Sequence, residues 1–171
     1  MSPYTGRRDP RFVTIRRGGF LNDDRHRLLT LWAADCADHV LGIFAAACPT
    51  DDRPAAAIST ARHWAAGEVN MLAARKAAYA AHDAAREADG AAKDAARAAG
   101  HAVATAHMAD HELGAAYFAI RAVQAAIPAD PDAAARERRW QRERLPPAIS
   151  EFVFDDMRLR KKKFGGVFEP E

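Results

Sequence analysis

Between Gly100 and Val123 the run GHAVATAHMADHELGAAYFAIRAV sets His101, His107 and His111 into an alanine-rich region that is almost free of charge. Helices with so few large side chains bury surface only by bringing their backbones close together. A titratable ring on such a helix then needs a partner, because an unpaired buried polar group costs about 1–3 kcal/mol. These histidines are therefore either a site or a buried lock that holds neighbouring helices in register.

The rest of the chain reads as helix. Asn22 offers an N-cap, Asp23 and Asp24 suit the positive end of a helix dipole, and HRLLTLWAADCADHVLGIFAAA continues with helical spacing. The first helix is expected near Asp24 to Ala47, and a second runs from Pro54 to Ala66 before Gly67. A third spans Asn70 to Ala88, and a fourth runs from the Asp89-Gly90 turn to about His107. An unbroken helix from Ala91 to Ile127 would be longer than most domains use, so a break is expected at Met108 to Asp110. A fifth helix fills Asp110 to Ile127, a sixth starts at Asp130-Pro131 and ends near Leu145, and a seventh follows Pro146-Pro147. With 171 residues, 49% of them hydrophobic, the expected fold is all-α: one compact bundle of six or seven helices with an irregular N-terminal arm. Residues 1–21 form the basic arm, with FVTI as a possible extended piece, 22–158 the helical domain and 159–171 a basic, flexible tail. The first and fifth helices carry the widest apolar arcs and are expected at the centre.

A formal net charge of +2 gives no global field that argues for nucleic acid. Cys36 and Cys48 lie twelve positions apart on one expected helix, about 18 Å along its axis, too far to bridge. Two buried thiols, no secretory segment and no apolar run long enough to span a bilayer point to the cytoplasm and away from membranes. There is no CxxC, phosphate loop or glycine-flanked serine, so neither a zinc module, a nucleotide cofactor nor nucleophilic catalysis is indicated. No cofactor is expected.

Three groups of residues carry the candidate chemistry. On the first helix, His39 falls inside the apolar arc with Asp35 at its edge, and their four-residue spacing lets the carboxylate orient the imidazole. On the third, Arg75 and His82 share a stripe with Met71, Ala78 and Ala85, and Asp35 is the expected partner of Arg75. His107 and His111 would face the same side, and suit a metal weakly, only if the helix continued through Asp110. His101 falls on the Lys93 and Arg97 side and is expected at the surface, whereas His107 is expected to be buried and hydrogen-bonded. Asp35, His39, Arg75, His82, His107 and His111 thus make up a candidate polar pocket. Ten of the 25 basic residues fall in Arg136 to Arg144 and Arg158 to Lys163. A solvated, salt-bridged helix accounts for the first group, and Arg136, Arg139, Trp140 and Arg142 offer a candidate surface for a partner.

RDPRFVTIRRGG, HRLLTLWAADCADHVL, GHAVATAHMADHELGAAYFAIRAV and RERRWQRERLP, in order from Arg8 to Pro146, resemble actinobacterial members of the immunity-five-like group of bacterial polymorphic toxin systems. The resemblance extends over about Arg8 to Asp156 and includes Asp35, His101, His107 and His111. It implies an all-α cytoplasmic protein that binds and neutralises a cognate toxin without catalysis. The Arg158 to Glu171 end departs from the family pattern. The residues leave two other readings open: a small-molecule-binding, biosynthetic or self-resistance protein using the polar pocket, and a module that packs its alanine-rich helices across a homo-oligomer.

Overall fold

The computed structural model describes residues 8–169, and these form seven α-helices with no strand. α1 is Asp23–Ala47, α2 Arg53–Ala65, α3 Met71–Glu87, α4 Gly90–Ala104, α5 Glu112–Ala126, α6 Ala133–Glu143 and α7 Pro147–Leu159. Side-chain caps start two of them: Asn22 accepts from the Arg25 N–H at 2.8 Å, and Asn70 from the Ala73 N–H at 3.0 Å. The expected break is real. α4 ends at Ala104, and a short 3₁₀ turn, Ala109–His111, leads into α5.

The centre of the bundle is α4, which packs on α1, α2, α3 and α5. Its buried side chains are alanines, Val103 and Asp94, so neighbouring backbones approach it closely. α1 and α5 pack against it and against each other, as their apolar arcs require. The first and fifth helices, expected at the centre on their apolar arcs, lie against α4, whose small side chains let its neighbours close on it. Trp32, Phe44, Leu29, Ile58, Leu113 and Ile120 fill the spaces between the axes.

α1 is long and apolar enough to cross a membrane by length and composition, against the expectation that no such run exists. About half of its apolar window is buried against α2, α4 and α5, which accounts for that composition within a helical core. Cys36 is buried in this helix, Cys48 is half-buried at its C-cap, and both are free thiols.

The N-terminal arm contains two 3₁₀ turns, Pro10–Phe12 and Ile15–Arg17, and of the expected extended piece only Val13 and Thr14, between them, are extended, Thr14 bridging Leu21. It folds back on itself through the Leu21 N–H to Val13 C=O and Ile15 N–H to Leu21 C=O bonds, both 3.0 Å. Gly18 makes the reversal at φ 82°, and a side chain on Gly19 would run into the Val13 carbonyl at 2.0 Å. Phe12 and Leu21 enter the core, Phe12 meeting Phe152 of α7 edge-on at 4.9 Å. Residues 160–168, beyond α7, form a series of turns with Phe164 and Phe168 buried. Residues 1–7 of the expected arm and 170–171 of the expected tail lie outside the described residues.

Candidate functional site

The residues expected to share one polar pocket are divided between two places. At the first, α1 meets α6. His39 Nδ1 donates to Glu137 Oε2 at 2.7 Å, and Gln141 Nε2 donates both to Glu137 Oε1 at 2.8 Å and to the Ala116 carbonyl at 3.1 Å. The Trp32 indole N–H donates to the Gln141 carbonyl at 3.0 Å, completing a buried polar junction of α1, α5 and α6. The helix that carries Arg136 to Arg144 is solvated on one side only: Glu137 and Gln141, which sequence reasoning did not single out, are buried, and their one-turn spacing on α6 is the available signal. Outside the junction, the His39 ring lies flat on Trp140, centroids 3.7 Å apart and planes 1° from parallel. The Arg144 guanidinium sits 4.8 Å from the Trp140 centroid.

Asp35 takes no part in orienting His39 and does not pair with Arg75. It accepts from Arg62 of α2 at 2.9 Å, and Asp38 accepts from the same guanidinium at 3.0 Å. The reason is topological: α1 packs on α2, α4 and α5 rather than on α3, so Arg75 is out of its reach. Arg75 is exposed on α3. Asp35, Asp38, His39, Arg62, Trp140 and Arg144 together line a shallow depression of about 320 Å³.

The second place is a chain of four imidazoles crossing from α3 to the turn before α5. His82 meets His101 edge-on at 5.2 Å between centroids, His101 meets His111 at 5.0 Å, and His111 meets His107 at 5.8 Å. His101, expected at the surface, is instead a middle link, with Phe118 stacked beside it at 5.3 Å. Two glycines make room for the rings. A Cβ on Gly100 of α4 would lie 2.6 Å from the His82 ring, and one on Gly114 of α5 would lie 2.5 Å from the His101 ring. Each imidazole thus occupies the space that a side chain on the facing helix would fill.

The chain is chemically suited to neutral rings. His101 Nδ1 and His111 Nδ1 face each other at 2.9 Å, so one must carry the hydrogen and the other accept it; two imidazolium rings would set two N–H groups nose to nose. Burial pushes His101 well below the ordinary imidazole value, with the charges of His111, His82 and Lys163 adding to the effect. Burial likewise lowers His111, to about 4, against the opposing pull of Asp110. His82 and His107 are lowered for the same first reason, His107 with help from Arg75 and Arg8. His107 and His111 sit on different elements, so the single helical face required for their pairing on a metal does not exist. Among the described residues, no group of three or more His, Cys, Asp or Glu side chains could hold a metal ion. His107 Nδ1 is buried without a hydrogen-bond partner, contrary to the hydrogen-bonded lock expected there.

Beside His111 lies a buried ionic junction that sequence reasoning missed. Glu112, fully buried at the start of α5, accepts from Arg160 Nη2 at 3.0 Å; Arg160 also donates to the Asp110 carbonyl at 2.8 Å and, through Nε, to Asp156 at 2.7 Å. Burial raises the Glu112 carboxyl well above its usual range, and Arg160 opposes that rise. The Arg160 guanidinium lies 5.5 Å from the Phe12 ring centroid and 5.3 Å from that of Phe164, tying the arm and the C-terminal turns to the head of α5. Apart from the one-turn spacing of Asp156 and Arg160, its members are scattered from position 12 to 164, and no local spacing links them.

Of the expected partner surface, Arg139 and Trp140 lie at or near the exterior. Arg136 is also exposed but pairs with Asp130. Arg142 donates to the Phe168 carbonyl and belongs with the C-terminal turns.

These features define an all-α scaffold with a polar junction, a packed imidazole chain and a pre-set aromatic and cationic patch. The chain belongs to the family described as Imm-5 like putative immunity protein, whose model matches residues 19–148. The match takes in His39, the imidazole chain and Trp140, and leaves out Arg8, Phe12, Asp156 and Arg160. No curated protein and no solved structure matches the chain.

Two outcomes follow. Gly114→Ala should destabilise the protein by about 1–3 kcal/mol through overpacking against His101, and adding His101→Ala should recover part of the loss, giving a non-additive cycle in urea melts. An additive cycle would show that the glycine does not serve the ring. A buried imidazole with a lowered pKa leaves stability intact above the unfolded value near 6.5, where both states are neutral. As pH falls below that, the unfolded chain takes up protons first, so stability should drop from about pH 6.5 down to the folded value of about 4 for His111. His111→Gln should flatten the curve in that window relative to wild type; an unchanged slope would contradict the assignment.

Proposed function

We propose that this protein is an immunity protein that binds a cognate protein toxin and neutralises it by occlusion, with His39, Arg139, Trp140 and Arg144 at the centre of the contact. Family membership is the observation that carries the reading. The patch adds a physical reason to look there. Tryptophan and arginine dominate the energetics of protein interfaces, and a partner gains most from side chains already held in place. Trp140 is held on one face by His39, which is itself fixed by buried Glu137, while Arg144 caps the arrangement. The neighbouring Asp35, Asp38 and Arg62 supply both signs of charge to orient a partner at the rim.

The test is co-expression with a candidate toxin domain, sought first among the neighbouring genes, together with a direct binding measurement on the purified pair. Wild type should protect the host cell and form a stable complex. Trp140→Ala/Arg144→Ala should weaken binding by about 2 kcal/mol or more per anchor and abolish protection while the helical melt persists. Arg144→Glu alone, which removes no packed ring, should slow association and weaken the complex. Failure of the wild type to bind, or full binding by both variants, would overturn the proposal.

A further inference from the structure

A cavity of about 420 Å³ opens where the N-terminal arm crosses the ends of α2 and α4, and every charged side chain that lines it is an arginine. Arg8, Arg16 and Arg17 come from the arm, His107 from the turn after α4, and Trp64 and Phe12 supply aromatic surface. No carboxylate lines it. Two acids touch its cations from outside: Asp23 accepts from Arg16 at 3.3 Å, and Asp110 lies 3.8 Å from Arg8 Nη2, beyond hydrogen-bond reach. The Arg17 N–H donates to the Thr14 carbonyl at 2.8 Å, but its guanidinium has no hydrogen bond or ion pair among the described residues. Arg8 Nε and His107 Nδ1 are both buried and both lack a hydrogen-bond partner.

Two unpartnered buried nitrogens beside one cavity are a costly arrangement for a fold to keep, and neither the helix packing nor the imidazole chain uses them. Arg8 Nε lacks an acceptor, and so does His107 Nδ1 in the tautomer that carries its hydrogen there. The positive lining favours an acceptor with negative charge, and the Trp64 and Phe12 rings favour one attached to a flat or apolar body. The Asp110 carboxylate behind Arg8 holds that side chain near the cavity without saturating its guanidinium.

We propose that this cavity is a binding site for a small aromatic oxyanion, a phosphate ester in the first instance, with Arg8, Arg17 and His107 donating to the anion and Trp64 carrying the ring. It lies apart from the Trp140 patch and does not depend on the toxin-binding reading. It also differs from the polar pocket suggested by the sequence, since of those six residues only His107 lines it.

The experiment is calorimetric titration of the full chain at low salt with phenyl phosphate, inorganic phosphate and benzoate as separate probes. Phenyl phosphate should bind one to one, more tightly than inorganic phosphate, which lacks the ring, and more tightly than benzoate, which carries less charge. Arg17→Ala and His107→Ala should each weaken phenyl phosphate about tenfold, the loss expected for one charge-assisted or buried hydrogen bond. Arg17→Ala should keep the wild-type helical melt, because its side chain has no hydrogen-bond partner to lose, whereas His107→Ala also removes the ring contact with His111 and should keep the helical fold with a lower midpoint. Arg8→Met should weaken binding similarly, but it is secondary because the ion pair with Asp110 is lost with it. The proposal is overturned if phenyl phosphate gives no saturable binding, if inorganic phosphate binds as tightly, or if Arg17→Ala and His107→Ala both leave its affinity unchanged.

Discussion

Close approach of backbones around α4 is the constraint on which the rest of this molecule depends. A helix whose buried face is almost entirely alanine gains little from each side chain, so it must collect its burial from several neighbours at once. α1, α2, α3 and α5 provide them. Little free space then remains between α3, α4 and α5, and a ring placed there needs a hole cut opposite. Gly100 and Gly114 are those holes, and they turn His82 and His101 into fitted parts of the helix interfaces.

The same closeness explains why the polar groups sort into separate stations. The imidazole chain is buried enough to favour neutral rings, whereas Glu112, Asp156 and Arg160 collect at the ends of helices and close the junction between α5, α7 and the arm. A buried ion network of this kind adds less to net stability than its contacts suggest, because each charge was first taken out of water. Its value is positional: it fixes the arm that forms one wall of the cationic cavity. On the other side of α1, the Glu137 and Gln141 junction does the same for α6 and presents Trp140 in a set orientation.

Much of this was legible in the amino-acid sequence, and the parts that were not have physical causes. Helix positions followed from Asn22, Asn70, Gly67, Pro54, Pro131 and the Pro146-Pro147 pair, because caps and breakers act locally. The break before Asp110 followed from length alone. Which helices touch was harder to read: the Asp35 to Arg75 pairing rested on assuming that α1 and α3 are neighbours, and α2 supplies Arg62 to Asp35 instead. His101 was misplaced because helical periodicity put it with Lys93 and Arg97, while the deciding feature, a glycine at position 114 on another helix, is a tertiary fact. Glu112 and Arg160 could not be paired from sequence at all, since nothing local links positions 48 residues apart. The family resemblance reached the immunity-protein class by a different route, through whole segments rather than through any residue's chemistry.

The most direct test of a packed, neutral imidazole chain is the pH titration of each histidine ring by NMR of the folded protein. His101 and His111 should remain neutral at pH 6, with midpoints well below the ordinary value near 6.5, and their nitrogen shifts should show one protonated and one bare Nδ1 sharing a hydrogen. Midpoints near 6.5 for both rings, with no such shared hydrogen, would mean that water reaches them freely and that the glycine-cut interfaces are not closed as described.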